Sequence, residues 1–383
     1  MLHKDEVVSN DIGPNGIGQR IRAAREQRKI SQAKLAEALG WKHHQIVCDL
    51  EQGKREIKAH ELYEIAKFLH VDFNTLLGSK EPAYEPYVLW RQKPPQNEKI
   101  LEAQFLKQCN RYVWLEKILG GTTEQPAVFF EEVPKRNIQL SSFTLEQAYQ
   151  LAEAIRQHMN LGDFPASQLV NVLEERYGIK FLIDGNTIKS PAACSRSDKG
   201  CFILLNGQDV EGRQYFSIAH ELFHLITWDE KMLQLVDTKP QLHEKNEQFA
   251  NAFAAGLLVP KEKLQIEAAR ICSHQPISAA DVVALAEQFQ VSKEAMLYRM
   301  FNVNLIANKP FNELKEQLQK LSCSKAVSQN ISLTLKSKFV RLVYLAYEHI
   351  KISRSKAAEL LDIDLCDLSS FFNSYGFIEI NAL

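Results

Sequence analysis

Phe216-Ser217-Ile218-Ala219-His220-Glu221-Leu222-Phe223-His224-Leu225-Ile226-Thr227-Trp228-Asp229 is the stretch that decides how this chain is read. Its centre, His220 to His224, is an H-E-x-x-H pattern, and the flanks Ile218, Ala219, Leu222, Phe223, Leu225 and Ile226 are apolar, with no Gly or Pro. Such a run predicts a buried helix. Residues four apart on a helix lie one above the other, so His220 and His224 can offer two imidazole nitrogens to one ion. Glu221 projects about 100° round the helix, at the side of the same site. Neutral imidazoles suit zinc, and a carboxylate beside them can accept a proton from the attacking water. This is the metallopeptidase reading of the pattern. Two histidines on an apolar helix also occur as satisfied core residues, so the pattern needs support from a second stretch.

Hydrolytic zinc takes a third protein ligand and keeps one open position. The run Leu242 to Pro260, L-H-E-K-N-E-Q-F-A-N-A-F-A-A-G-L-L-V-P, supplies candidates. Glu247, Asn251 and Ala254 share one helical stripe, and the small residues predict that this helix crosses close behind the first. Glu244, one turn earlier, competes for the third position, and His243 is a weaker competitor.

Composition narrows the function classes. The 383 residues are 45% hydrophobic and 24% charged, with a net charge of −1, which describes a soluble globular chain of two or three domains rather than a general polyanion binder. The charge is uneven: residues 17–79 hold 11 Lys/Arg against 8 Asp/Glu, so a DNA-facing module is expected there. The seven cysteines form no C-x-x-C pair, which argues against a disulfide framework or a Cys zinc site and fits a reducing compartment. Cys194 and Cys201 are the pair that could meet, across a short hairpin. No run approaches the roughly 20 apolar residues of a membrane span, and the N-terminus lacks an apolar signal core. A cytoplasmic location and no membrane partner are expected.

In chain order, residues 1–16 read as a disordered arm ending in a turn at Gly13-Pro14-Asn15-Gly16. Residues 17–79 read as five short helices. Ser31 is a candidate N-cap, Gly40 a helix stop, and Gly53 closes a third helix that begins near His43. Helix, Gly-containing turn, helix is a helix-turn-helix arrangement. The third helix then enters a major groove by its N-terminal end: Gln45 can pair with adenine, and His43 and His44 sit beside it. Gln32, Lys54 and Arg55 are placed for phosphates. Residues 80–140 are a proline-punctuated connector with one long helix from about Asn97 to Leu119; Trp90 and Trp114 read as core or docking residues. Within residues 141–310, helices are expected at Phe143 to Met159 and Pro165 to Tyr177, a strand at Ile179 to Ile183, and a hairpin of Ala192–Ser195 with Cys201–Asn206. The Cys201–Asn206 strand is a candidate edge for holding an extended peptide. Arg213 and Tyr215 are candidates to reach a substrate carbonyl. Ser278 and Ser292 cap a helical pair. Residues 311–383 read as helices, of which Ile352 to Ile363 looks like half of another helix-turn-helix or a dimerisation element. The fold class is mainly α with a small β-sheet (α+β).

Ser31 to Gly40 (S-Q-x-x-L-A-x-x-L-G), Glu51 to Arg55 (E-x-G-K-R) and Ala66 to Leu77 (A-x-x-L-x-V-x-x-x-x-L-L) together resemble the Xre family of phage-repressor-like regulators. The loop Trp41 to Gln45 departs from that pattern by one extra residue. His220 to His224 with Glu247 to Pro260 (E-x-x-A-N-x-F-A-A-x-L-L-x-P, here with Val259 where Met is common) resemble the ImmA/IrrE metallopeptidase family. That resemblance implies zinc held by His220, His224 and Glu247, Glu221 as catalytic acid/base, and cleavage of a repressor protein. The expected protein is a regulator that binds double-stranded operator DNA, as a homodimer, and carries a zinc-dependent endopeptidase acting on a repressor or on itself. A zinc-site sensor without catalysis and an antitoxin-like protein-binding regulator are the competing readings.

Overall fold

The structure, a computed structural model, describes residues 14–69, 71, 73–78, 88–91, 98–121, 142–184, 190–197, 200–228, 239–271, 276–320 and 331–378. The expected arm over residues 1–13, the connector prolines, the hairpin tip at 198–199 and Cys272 and Cys323 lie outside them. The chain divides into two compact units, Met1–Pro86 with Pro94–Arg111, and Tyr87–Lys93 with Tyr112–Leu383. The α+β expectation holds: the described residues are mostly helical, with one four-stranded sheet.

The first unit contains the five expected helices, Pro14–Gln27, Gln32–Ala38, Gln45–Glu51, Ala59–Leu69 and Phe73–Leu77. Their apolar faces meet in a core that includes Ile21, Leu35, Val47, Leu50, Ile65 and Leu69. Ser31 caps the second helix, its hydroxyl accepting from Lys34 N at 3.1 Å. The turn expected at Gly13 to Gly16 is instead helical from Pro14 onward, because proline at a first helical position forfeits no hydrogen bond and presets φ. A Cβ at Gly18 would run into the Leu50 carbonyl oxygen, so the first helix meets the end of the third backbone to backbone. Behind that contact, Arg25 grips Glu51 with Nε–Oε1 at 2.6 Å and Nη2–Oε2 at 2.9 Å. Arg25 Nη1 also donates to the Ile30 carbonyl at 2.8 Å, and Gln32 Nε2 to Glu51 Oε2 at 2.8 Å. Burial makes such a pair costly unless it is fully bonded. Bonded this way, it fixes the third helix against the first and second.

In the second unit, strands β1 (Val88–Trp90), β2 (Lys180–Asp184), β3 (Ala192–Ser197) and β4 (Gly200–Asn206) lie in the order β1-β3-β4-β2. The pairs β1–β3 and β3–β4 are antiparallel, and β4–β2 is parallel. This corrects the sequence expectation for Cys201–Asn206. That strand is flanked on both sides and has no free edge to hold a peptide, which is why its run Cys201 to Leu205 is apolar without alternation. Cys201, Ile203 and Leu205 face the main core, while Phe202 turns the other way, edge-on to Tyr112. Cys194 pairs in register with Ile203 and Cys201 with Arg196, so the two thiols are staggered along the hairpin and both are free.

Helix Glu211–Ile226 packs on β3 and β4 and against helix Pro240–Leu258, which in turn lies along helix Leu145–His158. Helix Pro240–Leu258 crosses close to Glu211–Ile226, as its small residues predicted, with Glu247 and Asn251 both 3.0 Å from the His220 ring. Gly256 lets the helix approach Leu145–His158, since a Cβ there would meet Tyr149 Cδ1 at 2.9 Å and Ala152 Cβ at 3.1 Å. The helix expected at Pro165 to Tyr177 is α only over Ala166–Asn171 and widens into a π turn over Val172–Arg176. Ser278 and Ser292 do cap the helices Ala279–Gln288 and Lys293–Asn302. The C-terminal helices Ile331–Glu348, Arg354–Leu361 and Leu368–Ser374 form a separate cluster around Val343, Leu360 and Phe372, joined by Leu115. Among the described residues, no helix is long and apolar enough to cross a membrane.

Candidate metal centre

His220 and His224 leave the same face of helix Glu211–Ile226, and both are buried. Their Nε2 atoms face each other at 3.1 Å. Glu247, from helix Pro240–Leu258, closes the triangle, with Oε2 at 3.0 Å from His220 Nε2 and Oε1 at 3.2 Å from His224 Nε2. Among the described residues, this is the group of His, Cys, Asp and Glu side chains that could hold a metal ion. Glu244 is exposed and His243 half-buried, and neither joins the group.

The donors fit a small divalent cation. At zinc bond lengths of 2.0–2.1 Å, tetrahedral neighbours stand about 3.3 Å apart, close to the three separations seen here. Hydrogen bonds alone fit less well. Each Nε2 carries at most one hydrogen yet faces two atoms that can accept, and two lone pairs pointed at each other repel. A cation between them satisfies all three contacts.

The outer partners favour the same state. His220 Nδ1 lies 3.0 Å from Asn251 Oδ1, so Nδ1–H donates to the amide and Nε2 presents its lone pair. His224 Nδ1 lies 3.4 Å from the Asn246 amide nitrogen, while Asn246 Oδ1 is buried with no donor among the described residues. Turning that amide over gives Oδ1 the Nδ1–H of His224 and frees the second Nε2 for a cation. Asn246 and Asn251 come from the same helix as Glu247. Asn251 stood on the expected stripe beside Glu247 without a role, and Asn246 was missed; its position next to Glu247 was the available signal.

Burial dominates the electrostatics. It holds the His220 imidazole down to about 4, and it pushes the Glu221 carboxyl up to about 7. Burial opposes ionisation of Glu247 too, but the two imidazoles outweigh it and keep the carboxyl well below its ordinary value. The His224 imidazole, disfavoured as a cation by burial, is drawn up by Glu247. Both Glu221 oxygens are buried with no N–H or O–H donor among the described residues, and the weak Cys194 S–H faces them from β3. Burial, with the Glu221 charge beside it, pushes the Cys194 thiol well up, and Cys194 stands outside the group of three converging donors. Arg213 and Tyr215 stand apart from the triangle: Arg213 bonds Asp209 at 3.3 Å, and the Tyr215 hydroxyl lies 3.3 Å from Glu211 Oε1.

Residues 174–301 match the family model of the IrrE N-terminal-like domain, and residues 21–76 match the helix-turn-helix model. The chain joins a helix-turn-helix domain to an IrrE-like domain. A solved Mycobacterium tuberculosis transcriptional regulator is similar at 18% identity, over 50% of this chain and 51% of that one, with a TM-score of 0.31. The similarity thus spans about half the length of each protein. No curated protein matches.

In the helix-turn-helix domain, the third helix spans Gln45–Glu51 with His44 at its N-cap, and His43, His44 and Gln45 are exposed at that end. Gln45 Nε2 is bonded to Asp49 Oδ1 at 2.9 Å, a surface contact that a base edge can replace. Gln32 bonds Glu51, as above, and Arg55 bonds Glu61 Oε1 at 2.6 Å while stacking over Trp41. Those two side chains are engaged within the fold, whereas Lys54 is exposed.

Proposed function

We propose that this chain is a DNA-binding regulator whose IrrE-like domain is a zinc-dependent endopeptidase acting on a protein partner, with a repressor as the substrate class. The observation that carries the reading is the convergence of His220, His224 and Glu247 beside a buried Glu221. His220, His224 and Glu247 would hold the ion, with Asn251 and Asn246 orienting the imidazoles. When bound, zinc supplies a Lewis acid that polarises a carbonyl and makes water acidic. Glu221, held near neutrality by burial, takes a proton from the attacking water and delivers it to the departing amine nitrogen. Among the described residues no N–H or O–H donor stabilises its charged form, so burial raises its affinity for the proton it carries between water and amine.

The DNA-binding half acts as a homodimer reading an operator through His43, His44 and Gln45, with Gln32, Lys54 and Arg55 at the backbone. Gln32 and Arg55 must loosen their internal bonds or act through them. The division of labour follows residues 17–79 for DNA, 141–310 with strand Val88–Trp90 for hydrolysis, the rest of 80–140 as connector and 311–383 for helical assembly.

One observation favours a second reading. Glu221 and His220 are each 0% exposed, so a polypeptide reaches them only if the site opens. A zinc-site sensor without catalysis needs no such opening. The test is purified chain of measured zinc content, with and without Glu221→Gln, incubated with candidate repressors and alone. Zinc-dependent cleavage lost in Glu221→Gln supports the peptidase. Zinc retained with nothing cut by either form supports the sensor. A footprint on operator DNA that survives His44→Ala with Gln45→Ala overturns the recognition-helix assignment.

A further inference from the structure

The connector places an unexpected charge against the metal-site helix. Strand β1 pairs with β3 in the register Val88↔Ser195, Leu89↔Cys194 and Trp90↔Ala193. The ladder runs one residue further, where Arg91 N donates to the Ala192 carbonyl at 3.2 Å. From this fixed backbone the Arg91 side chain crosses to helix Glu211–Ile226. There Nη1 donates to Ser217 Oγ at 2.9 Å, and the guanidinium lies over the Phe216 ring, 5.4 Å from its centre. Ser217 precedes His220 by three residues and Glu221 by four, so all three occupy one stripe of the helix.

A guanidinium drawn out of water is costly unless a carboxylate compensates it. Arg91 forms no ion pair with any described residue, although burial acts on it strongly enough to lower its affinity for the proton. The acidic charges it feels most are Glu221 and Glu247, with Asp209 weaker and Arg213 repelling. Among the described residues, the buried cations of this unit are held by a carboxylate in one case and by neutral groups in the other. Lys180 sits 3.4 Å from Glu116, and Arg299 donates to the Val259 carbonyl at 2.9 Å while stacking on Tyr149. Among the described residues, the side chain of Arg91 touches only the neutral Ser217 hydroxyl and Phe216 ring, one helical turn before His220 and Glu221.

A divalent cation with the Glu221 and Glu247 carboxylates is close to neutral overall. Attack on a peptide carbonyl then adds negative charge on the carbonyl oxygen, which needs a donor. We propose that Arg91 is a catalytic residue of the peptide-cleaving site, its guanidinium binding the scissile carbonyl oxygen and holding the negative charge that develops there. This rests on the peptidase reading above. The sheet supplies the rigidity: the β1–β3 ladder, the Ser217 hydroxyl and the Phe216 ring fix the fork before any substrate arrives.

The test uses the full chain loaded with zinc and inorganic phosphate as a tetrahedral oxyanion probe, with binding read by calorimetry. Arg91→Gln is expected to weaken phosphate binding by about tenfold or more and Arg91→Lys by less, with zinc content and thermal melt unchanged in both. Cleavage, where a substrate is in hand, should fall by about 100-fold in Arg91→Gln. Phosphate bound equally by wild type and Arg91→Gln, or not bound by the zinc-loaded wild type, overturns the proposal. Failure of the wild type to take up zinc sinks the site reading and this proposal with it. Phosphate binding that depends on Arg91, in a protein that cuts nothing, supports the anion contact and sinks the cleavage reading alone.

Discussion

The helix-turn-helix unit and the IrrE-like unit each bury a polar cluster, and the two are built on opposite principles. In the first, Glu51 accepts from Arg25 twice and from Gln32, a third Arg25 N–H reaches the Ile30 carbonyl, and Arg25 Nη2 also lies 3.5 Å from Glu26 Oε1. Donors and acceptors balance, and nothing further is invited. In the second, lone pairs converge: two Nε2 atoms and a carboxylate crowd within hydrogen-bond distance, and Glu221 stands by with no N–H or O–H donor among the described residues, only the weak Cys194 S–H. A balanced buried cluster holds a fold together, whereas an unbalanced one marks where something else binds. A third cluster shares the imbalance without the ligand geometry. Tyr112 Oη and Glu174 Oε1 are buried without partners among the described residues, and burial raises the Glu174 carboxyl to about 7.

Removing an acceptor from the unbalanced cluster should have the largest effect. His224→Ala is expected to lower zinc affinity by at least about 100-fold, since an inner ligand matters more than the outer-shell partners whose loss alone costs 10- to 100-fold. Competition with a chromophoric chelator measures it, and a wild-type melting temperature unmoved by chelator would break the comparison. Next comes the balanced cluster. Glu51→Ala strands Arg25 and should destabilise the helix-turn-helix unit by about 3–5 kcal/mol in urea, with zinc affinity unchanged.

The third cluster gives a pH test. The folded value of Glu174 lies above its unfolded value of 4.5, so the fold binds the proton more tightly than the unfolded chain does. Stability from this group is therefore intact below about 4.5 and falls as pH rises toward 7, by at most about 3 kcal/mol. Glu174→Gln should flatten that slope and make the protein more stable than wild type above pH 7. An unchanged slope would mean that the carboxyl ionises in place. The smallest effect sharpens the comparison at its edge: Asn251→Ala should reduce zinc affinity by about 10-fold, because the His220 tautomer loses its anchor.

What could be read without coordinates was what lies within a few residues of itself. The His220–His224 pairing follows from helical period, the Ser31, Ser278 and Ser292 caps from a short side-chain oxygen ahead of a helix, and the five short helices after residue 14 from both together with their glycine stops. The apolar run Cys201 to Leu205 signalled a buried strand, but its central position depended on a parallel neighbour, β2, and a hairpin partner, β3. The π turn after Asn171 left no pattern to find.

Sequence by itself determined which side chains share a face; the tertiary structure decided which face meets which. Period placed Glu244, Glu247 and His243 on plausible sides of one helix, and the crossing of that helix with Glu211–Ile226 chose Glu247. Asn246 acquired its place beside His224 through the same crossing. Arg91 reaches Ser217 across 126 residues, through a strand that no local rule assigns to this sheet. The physical reason is range. Backbone geometry repeats every few residues and is written in the local chain, while packing joins elements according to the shapes and charges that long-range folding happens to bring together.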